Sequence, residues 1–210
     1  MFYTQKIKKK AIDLEAKTVA IIVVFAALTI VLSAVKIPTI FWPQQNFRLW
    51  EIPIVTAFLL FGFRVGFSAA IIGIIGQTAL FVGPAGILEA PWGLIVVLTM
   101  FLGLYLAKRL CKSRLTHMRL ISGIMPIVLF TAFSIIVRTS IMLPVDYAIY
   151  SSILPIVIGV NIPIAYIIGL MPFTILFNVL VPIYTVPVSY LLAKTIGNNV
   201  KVDNKFSDTR

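Results

Sequence analysis

Cysteine and histidine are nearly missing from this chain, which has one of each, Cys111 and His117, in 210 residues. A lone cysteine excludes an intramolecular disulfide framework, and the pair together exclude a cysteine- or histidine-rich metal site. Charge is scarce as well. Asp, Glu, Lys and Arg make up 12% of the residues, too few to clothe a soluble domain of this length. Acidic residues are scarcest, 7 against 18 Lys and Arg. The sequence contains no Gly-x-Ser-x-Gly elbow and no phosphate-binding Gly-Lys-Ser/Thr loop, so it offers no means of hydrolysing ATP. His117 stands in a basic segment, where a solvated side chain is expected rather than a general base. No enzymatic activity and no cofactor of its own are expected.

What the chain does have is apolar length. Sixty per cent of the residues are hydrophobic, mean hydropathy is +1.04, and the formal net charge is nevertheless +11. These values coexist because Lys and Arg gather in alternate gaps between long apolar stretches. The lysines flank those stretches instead of alternating with exposed aromatics, so nucleic acid is not the expected partner. A multispanning membrane protein is.

Six spans are expected, at 18–37, 52–63, 65–82, 91–107, 120–143 and 171–193. The first follows Lys6, Lys8, Lys9 and Lys10 and has a cleavage-like Leu32-Ser33-Ala34. At about 20 residues it exceeds a signal-peptide core and is expected to be retained. Gly83-Pro84-Ala85-Gly86 ends the third span. Pro144 is expected to open a long apolar connection, helical but interrupted at Pro155 and Pro163. Six spans put both termini on one side. If that side is cytoplasmic, the inner gaps hold nearly every Lys and Arg, including Arg64, Lys108, Arg109, Lys112, Arg114, Arg119 and Lys194. The outer loops hold only Arg48, with Lys36 at their border, as the positive-inside rule requires. The expected architecture is an all-α integral membrane protein, with a single six-helix domain over 1–197 and a polar cytoplasmic tail over 198–210. The second span is too short to cross a core of ~30 Å upright. It either ends against other protein or lies where the bilayer thins.

Polar side chains inside spans are costly and mark functional candidates. Lys36 at the outer end of the first span, Gln77, Arg138 and Asn178 all fall within ~10–12 Å of the outer surface at ~1.5 Å per residue. Each has a plainer reading: Lys36 can snorkel to headgroups, and Gln77 and Asn178 can serve as interhelical hydrogen bonds. Asp146 or Glu89 can pair with Arg138. Their shared depth favours a pocket. Glu89 and Trp92, three apart, share a helix face at that level, and Phe47, Arg48, Trp50 and Glu51 can cover it, although Trp is also expected in an interfacial belt. No comparable residue continues towards the cytoplasm. The expectation is an outward-facing pocket that stops halfway.

The stretch Phe47-Arg48-Leu49-Trp50-Glu51-Ile52-Pro53, followed by Leu59-Leu60-Phe61-Gly62 and Gly66, resembles the signature of substrate-binding S components of energy-coupling factor (ECF) vitamin transporters. The riboflavin-type members are nearest. Pro172-Phe173 and Phe177-Asn178 resemble the start of their sixth helix. The resemblance implies vitamin capture on behalf of a transmembrane T protein and two cytoplasmic ATPases, in the plasma membrane. It also implies that small residues of the first helix contact the T protein, with Ala16, Ala20, Ala26, Ala27 and Ala34 as candidates. Two positions depart from the riboflavin pattern. Val181 stands where a lysine is usual, and Arg138-Thr139-Ser140 stands where an asparagine-tyrosine pair is. Arg138 and Lys36 would suit an anionic group. Flavin stays first among the vitamins, with others close behind. A stand-alone secondary transporter, or a non-transporting scaffold or membrane enzyme, is the alternative.

Overall fold

The computed structural model describes residues 2–39, 46–80, 86–114, 124–159 and 161–199. The break at 83–85, Arg119 and His117 of the basic segment, and the tail from 200 on lie outside that set. Helix α1 spans Phe2–Ser33, and a short antiparallel hairpin follows, β1 Lys36–Pro38 and β2 Asn46–Arg48. Then come α2 Glu51–Phe61, α3 Phe63–Leu80, α4 Gly86–Arg114 and α5 Met125–Ala148. A π-helical turn, Ile149–Ile153, leads into α6 Leu154–Ile158, and α7 runs Ile164–Asn199.

Among the described residues, five helical stretches are long and apolar enough to cross a membrane. They carry many exposed large apolar side chains, Val19, Ile75, Ile136 and Ile168 among them, as lipid contact demands and water would penalise. The protein is built as a multi-pass membrane protein. The sixth expected span, α2, is apolar but has 11 residues. Every residue from Glu51 to Ala57 is buried, so the first part of the helix lies against other protein.

Two boundaries differ from expectation. The first helix stops at Ser33, and Lys36 starts a strand in register with Arg48. The fifth does not end at Leu143, for it continues through Pro144 as far as Ile158 and stops at Gly159, whose φ of 69° is left-handed. A membrane helix can carry proline where neighbouring groups or a local change of helix type take up the freed carbonyl. The missing bond is followed by the π turn, a local widening of the kind that often marks sites.

Close approaches set the packing. Gly62, with φ 85°, turns the chain from α2 into α3 within one residue. Gly66, Gly73 and Gly76 of α3 lie on Phe58, Thr29 and Ile30 respectively, joining α3 to α2 and α1. The main core is formed by Ile54, Val55, Ile74, Val97, Met100, Phe101 and Leu104 with Met142 and Val186. Some buried hydroxyls are spent on their own helices, as with Thr29 on Phe25 O at 2.9 Å and Thr56 on Ile52 O at 2.8 Å, while Ser189 of α7 donates to Ile52 O of α2 at 3.0 Å. Gly197 lies beside Leu60, so the C-terminal ends of α7 and α2 share one end of the bundle, opposite the hairpin.

Candidate ligand-binding site

At the hairpin end lies a partly open cavity of about 170 Å³. Cavities near ~150 Å³ admit a benzene ring, so this one takes a ligand of ring size or somewhat more. Each of its walls has a sequence reason. Trp50 and Glu51 enter as the chain turns from β2 into the buried α2, whose N-terminus favours a carboxylate. Gln77 comes from the last turn of α3, and Glu89, Trp92 and Gly93 from the start of α4. Arg138 and Asp146 come from α5, Ile149 and Tyr150 from the π turn, and Phe177, Val181 and Tyr184 from one face of α7.

A continuous polar network lies in its wall. The Nη1 of Arg138 donates to Glu51 at 2.5 Å and its Nε donates to Asn178 Oδ1 at 3.0 Å. Asn178 Nδ2 donates to Asp146 at 3.3 Å and to Thr174 O at 3.0 Å. Trp92 Nε1 donates to the other oxygen of Asp146 at 2.8 Å. Four helices, α2, α4, α5 and α7, are thereby tied through side chains that hydrocarbon would not tolerate alone. Arg138 and Glu51 are almost wholly buried, with side chains 1% and 5% exposed. At the rim, Arg48 and Glu89 meet at 3.5 Å with side chains 29% and 40% exposed. Tyr184 Oη donates to Arg48 O at 3.0 Å, and Phe47 stacks on Phe177 at 5.2 Å. The hairpin is thus fastened to α7.

Of the expected site residues, Arg48, Trp50, Glu51, Gln77, Glu89, Trp92 and Arg138 line the cavity. Asn178 stands behind it holding Arg138 and Asp146, and Phe47 braces it through Phe177. Lys36 does not line it, being exposed on the hairpin where α1 has already ended. Arg138 forms its ion pair with Glu51, not with Asp146 or Glu89. Asp146, Tyr150 and Tyr184 were not expected as site residues. Phe177, Val181 and Tyr184 fall at i, i+4 and i+7, a helical face that an all-apolar helix hides. Of the small residues expected on the first helix, Ala16, Ala20 and Ala27 of α1 and Ala34 just beyond it are exposed. Ala26 is 2% exposed inside the fold, and its candidacy as a partner contact is withdrawn.

Among the described residues, the buried charged or amide side chains are Glu51, Gln77, Arg138, Asp146 and Asn178. All belong to this cavity or its wall; the other buried polar residues are Ser and Thr. The arrangement can hold a small polar aromatic molecule. It provides no file of ionisable groups from end to end.

No protein-family model matches the sequence, and no curated protein matches it either. Among solved structures, the chain is similar to the S component of a bacterial ECF transporter, with a TM-score of 0.60 and 20% identity. The match covers 89% of this chain and 99% of that one, so the two share a fold across nearly their whole length.

Proposed function

We propose that this protein is the substrate-capture (S) subunit of an ATP-driven ECF-type importer, binding a vitamin or vitamin precursor from outside the cell. The observation that carries this reading is the blind cavity, polar at the hairpin end alone, within an S-component fold. Arg64, Lys108, Arg109 and Lys194 occupy helix ends away from the hairpin. By the positive-inside rule that end faces the cytoplasm, which gives six membrane segments, cytoplasmic termini and a cavity open to the exterior of the plasma membrane. A binder without an end-to-end path needs other proteins to move it. The partners are a transmembrane T protein, met by the exposed stripe Ala16, Ala20, Ala27 and Ala34, and two ATPases.

The hairpin and α2 motif keeps flavin as the first vitamin to test, although Val181 puts an apolar side chain in the cavity where riboflavin-type members carry a lysine. Mass spectrometry of the small molecules that co-purify with the chain tests the reading directly. A vitamin-sized compound retained by the subunit alone, with uptake into vesicles only when the T protein and ATPases are present, is the expected result. Uptake by the subunit alone would make it a secondary transporter. Chemical turnover of a lipid would make it an enzyme.

A further inference from the structure

We propose that the cavity selects a planar heteroaromatic ligand bearing a positive charge, and that Asp146 is the residue that recognises the charge; this rests on the capture function above. The lining carries two guanidiniums against three carboxylates, Arg48 and Arg138 against Glu51, Glu89 and Asp146. That is a local excess of negative charge in a chain whose net charge is +11. Both guanidiniums are engaged, Arg138 by Glu51 and Arg48 by Glu89. The third carboxylate has no such partner. Among the described residues Asp146 makes no ion pair, and its two oxygens take hydrogen bonds from the neutral groups Trp92 Nε1 and Asn178 Nδ2. It is 4% exposed. The guanidinium of Arg138 is linked to it through Asn178 and is bonded directly to Glu51, so one buried cation serves two buried carboxylates, and an occupant of the cavity is placed to bring a second.

Two further features match the same ligand. Trp50, Trp92, Tyr150, Phe177 and Tyr184 line the space, and aromatic faces attract cations, most strongly when water is excluded. Gln77 also lines the space, and its side-chain oxygen is buried without a hydrogen-bond partner, an acceptor left unsatisfied beside the cavity. An anion would meet three carboxylates and would have to compete with Glu51 and Glu89 for the two guanidiniums.

The test uses one ring at three charges: 1-methylnicotinamide as the cation, nicotinamide as the neutral analogue and nicotinate as the anion, titrated calorimetrically into the full chain in lipid nanodiscs. The cation is expected to bind at least about ten-fold more tightly than the neutral ring, with the anion weakest. In Asp146→Asn the ratio of cation to neutral affinity, read within that variant, is expected to fall to about one; loosening of the wall, whose Trp92 and Asn178 bonds also end on Asp146, weakens both rings and leaves the ratio unmoved. A neutral or anionic ring that equals the cation, a preference that survives Asp146→Asn, or no binding of the cation at millimolar concentration overturns the proposal. A neutral or anionic vitamin that co-purifies would overturn it and leave the capture function standing. Uptake without the T protein and ATPases would remove the capture function, whatever the charge series shows.

Discussion

The guanidinium of Arg138 on α5 sits 2.5 Å from the carboxylate of Glu51 in the first turn of α2, both inside the protein. Two opposite charges in that setting support each other, and the α2 N-terminus adds to the stability of the carboxylate. Asn178 on α7 takes the Nε proton of the same guanidinium. One side chain thus positions three helices around the cavity.

Breaking this pair from one side leaves an uncompensated buried charge. Arg138→Ala and Glu51→Ala are each expected to destabilise the protein by roughly 3–5 kcal/mol, seen as a lowered Tm in detergent. The double change R138M/E51L, which removes both charges at similar volume, should recover most of the loss. Single variants as stable as wild type would show that the two groups do not pair in the folded protein.

The rim pair behaves differently. Arg48 and Glu89 are 3.5 Å apart and substantially exposed, a setting worth about 0–1 kcal/mol. Glu89→Gln should therefore shift stability by less than about 1 kcal/mol. A loss comparable with that of Glu51→Ala would mean that Glu89 is far more deeply engaged than this geometry shows.

Tyr184→Phe removes the 3.0 Å hydrogen bond to Arg48 O and keeps the ring that Phe47 packs against edge-on at 5.9 Å. About 1 kcal/mol of fastening is lost, from the hairpin and not the core. Dissociation of the bound ligand should quicken several-fold while Tm moves little. An unchanged off-rate would mean that the hairpin does not hold the ligand in.

The side each end faces is open to chemical labelling. In a Cys111→Ser background, Lys36→Cys should react with a membrane-impermeant maleimide on intact cells, because Lys36 is exposed at the cavity end. Lys108→Cys, at the other end of α4, should react only after the membrane is opened. The reverse pattern would turn the cavity to the cytoplasm and end the case for capture from outside.

The multi-pass helical architecture is legible in the sequence because spans of ~20 apolar residues are a long-range pattern that survives local error. The site was legible where a polar residue interrupts apolar sequence, as Gln77, Arg138 and Asn178 do. Pairing was not. Glu51 reads as part of an interfacial loop until α2 is seen to be buried from its first residue. Asp146 was placed in a connection, because Pro144 signals a break in water and is tolerated within a helix in lipid. Tyr184 sits in a helix with apolar residues on every side, and without water to define an outer face, periodicity cannot say which residues turn inward.

Packing between α4 and α5 links the apolar core to the site. A Cβ added at Gly103 would lie 2.6 Å from Ser134 Cα and 2.9 Å from Ser134 N, contacts with backbone that no rotamer change relieves. Gly103→Ala must therefore push the two helices apart, at a cost of typically about 1–3 kcal/mol. The same two helices carry Trp92 and Asp146, whose 2.8 Å bond depends on their spacing. Both Tm and ligand affinity should fall. Gly76→Ala is the control, since its Cβ would meet only the flexible end of Ile30, which can turn away. If Gly103→Ala lowers Tm yet leaves affinity at the wild-type level, the Trp92–Asp146 bond is set locally and not by the approach of α4 to α5. If the two alanine variants behave alike, the backbone contact at Ser134 is not what fixes that approach.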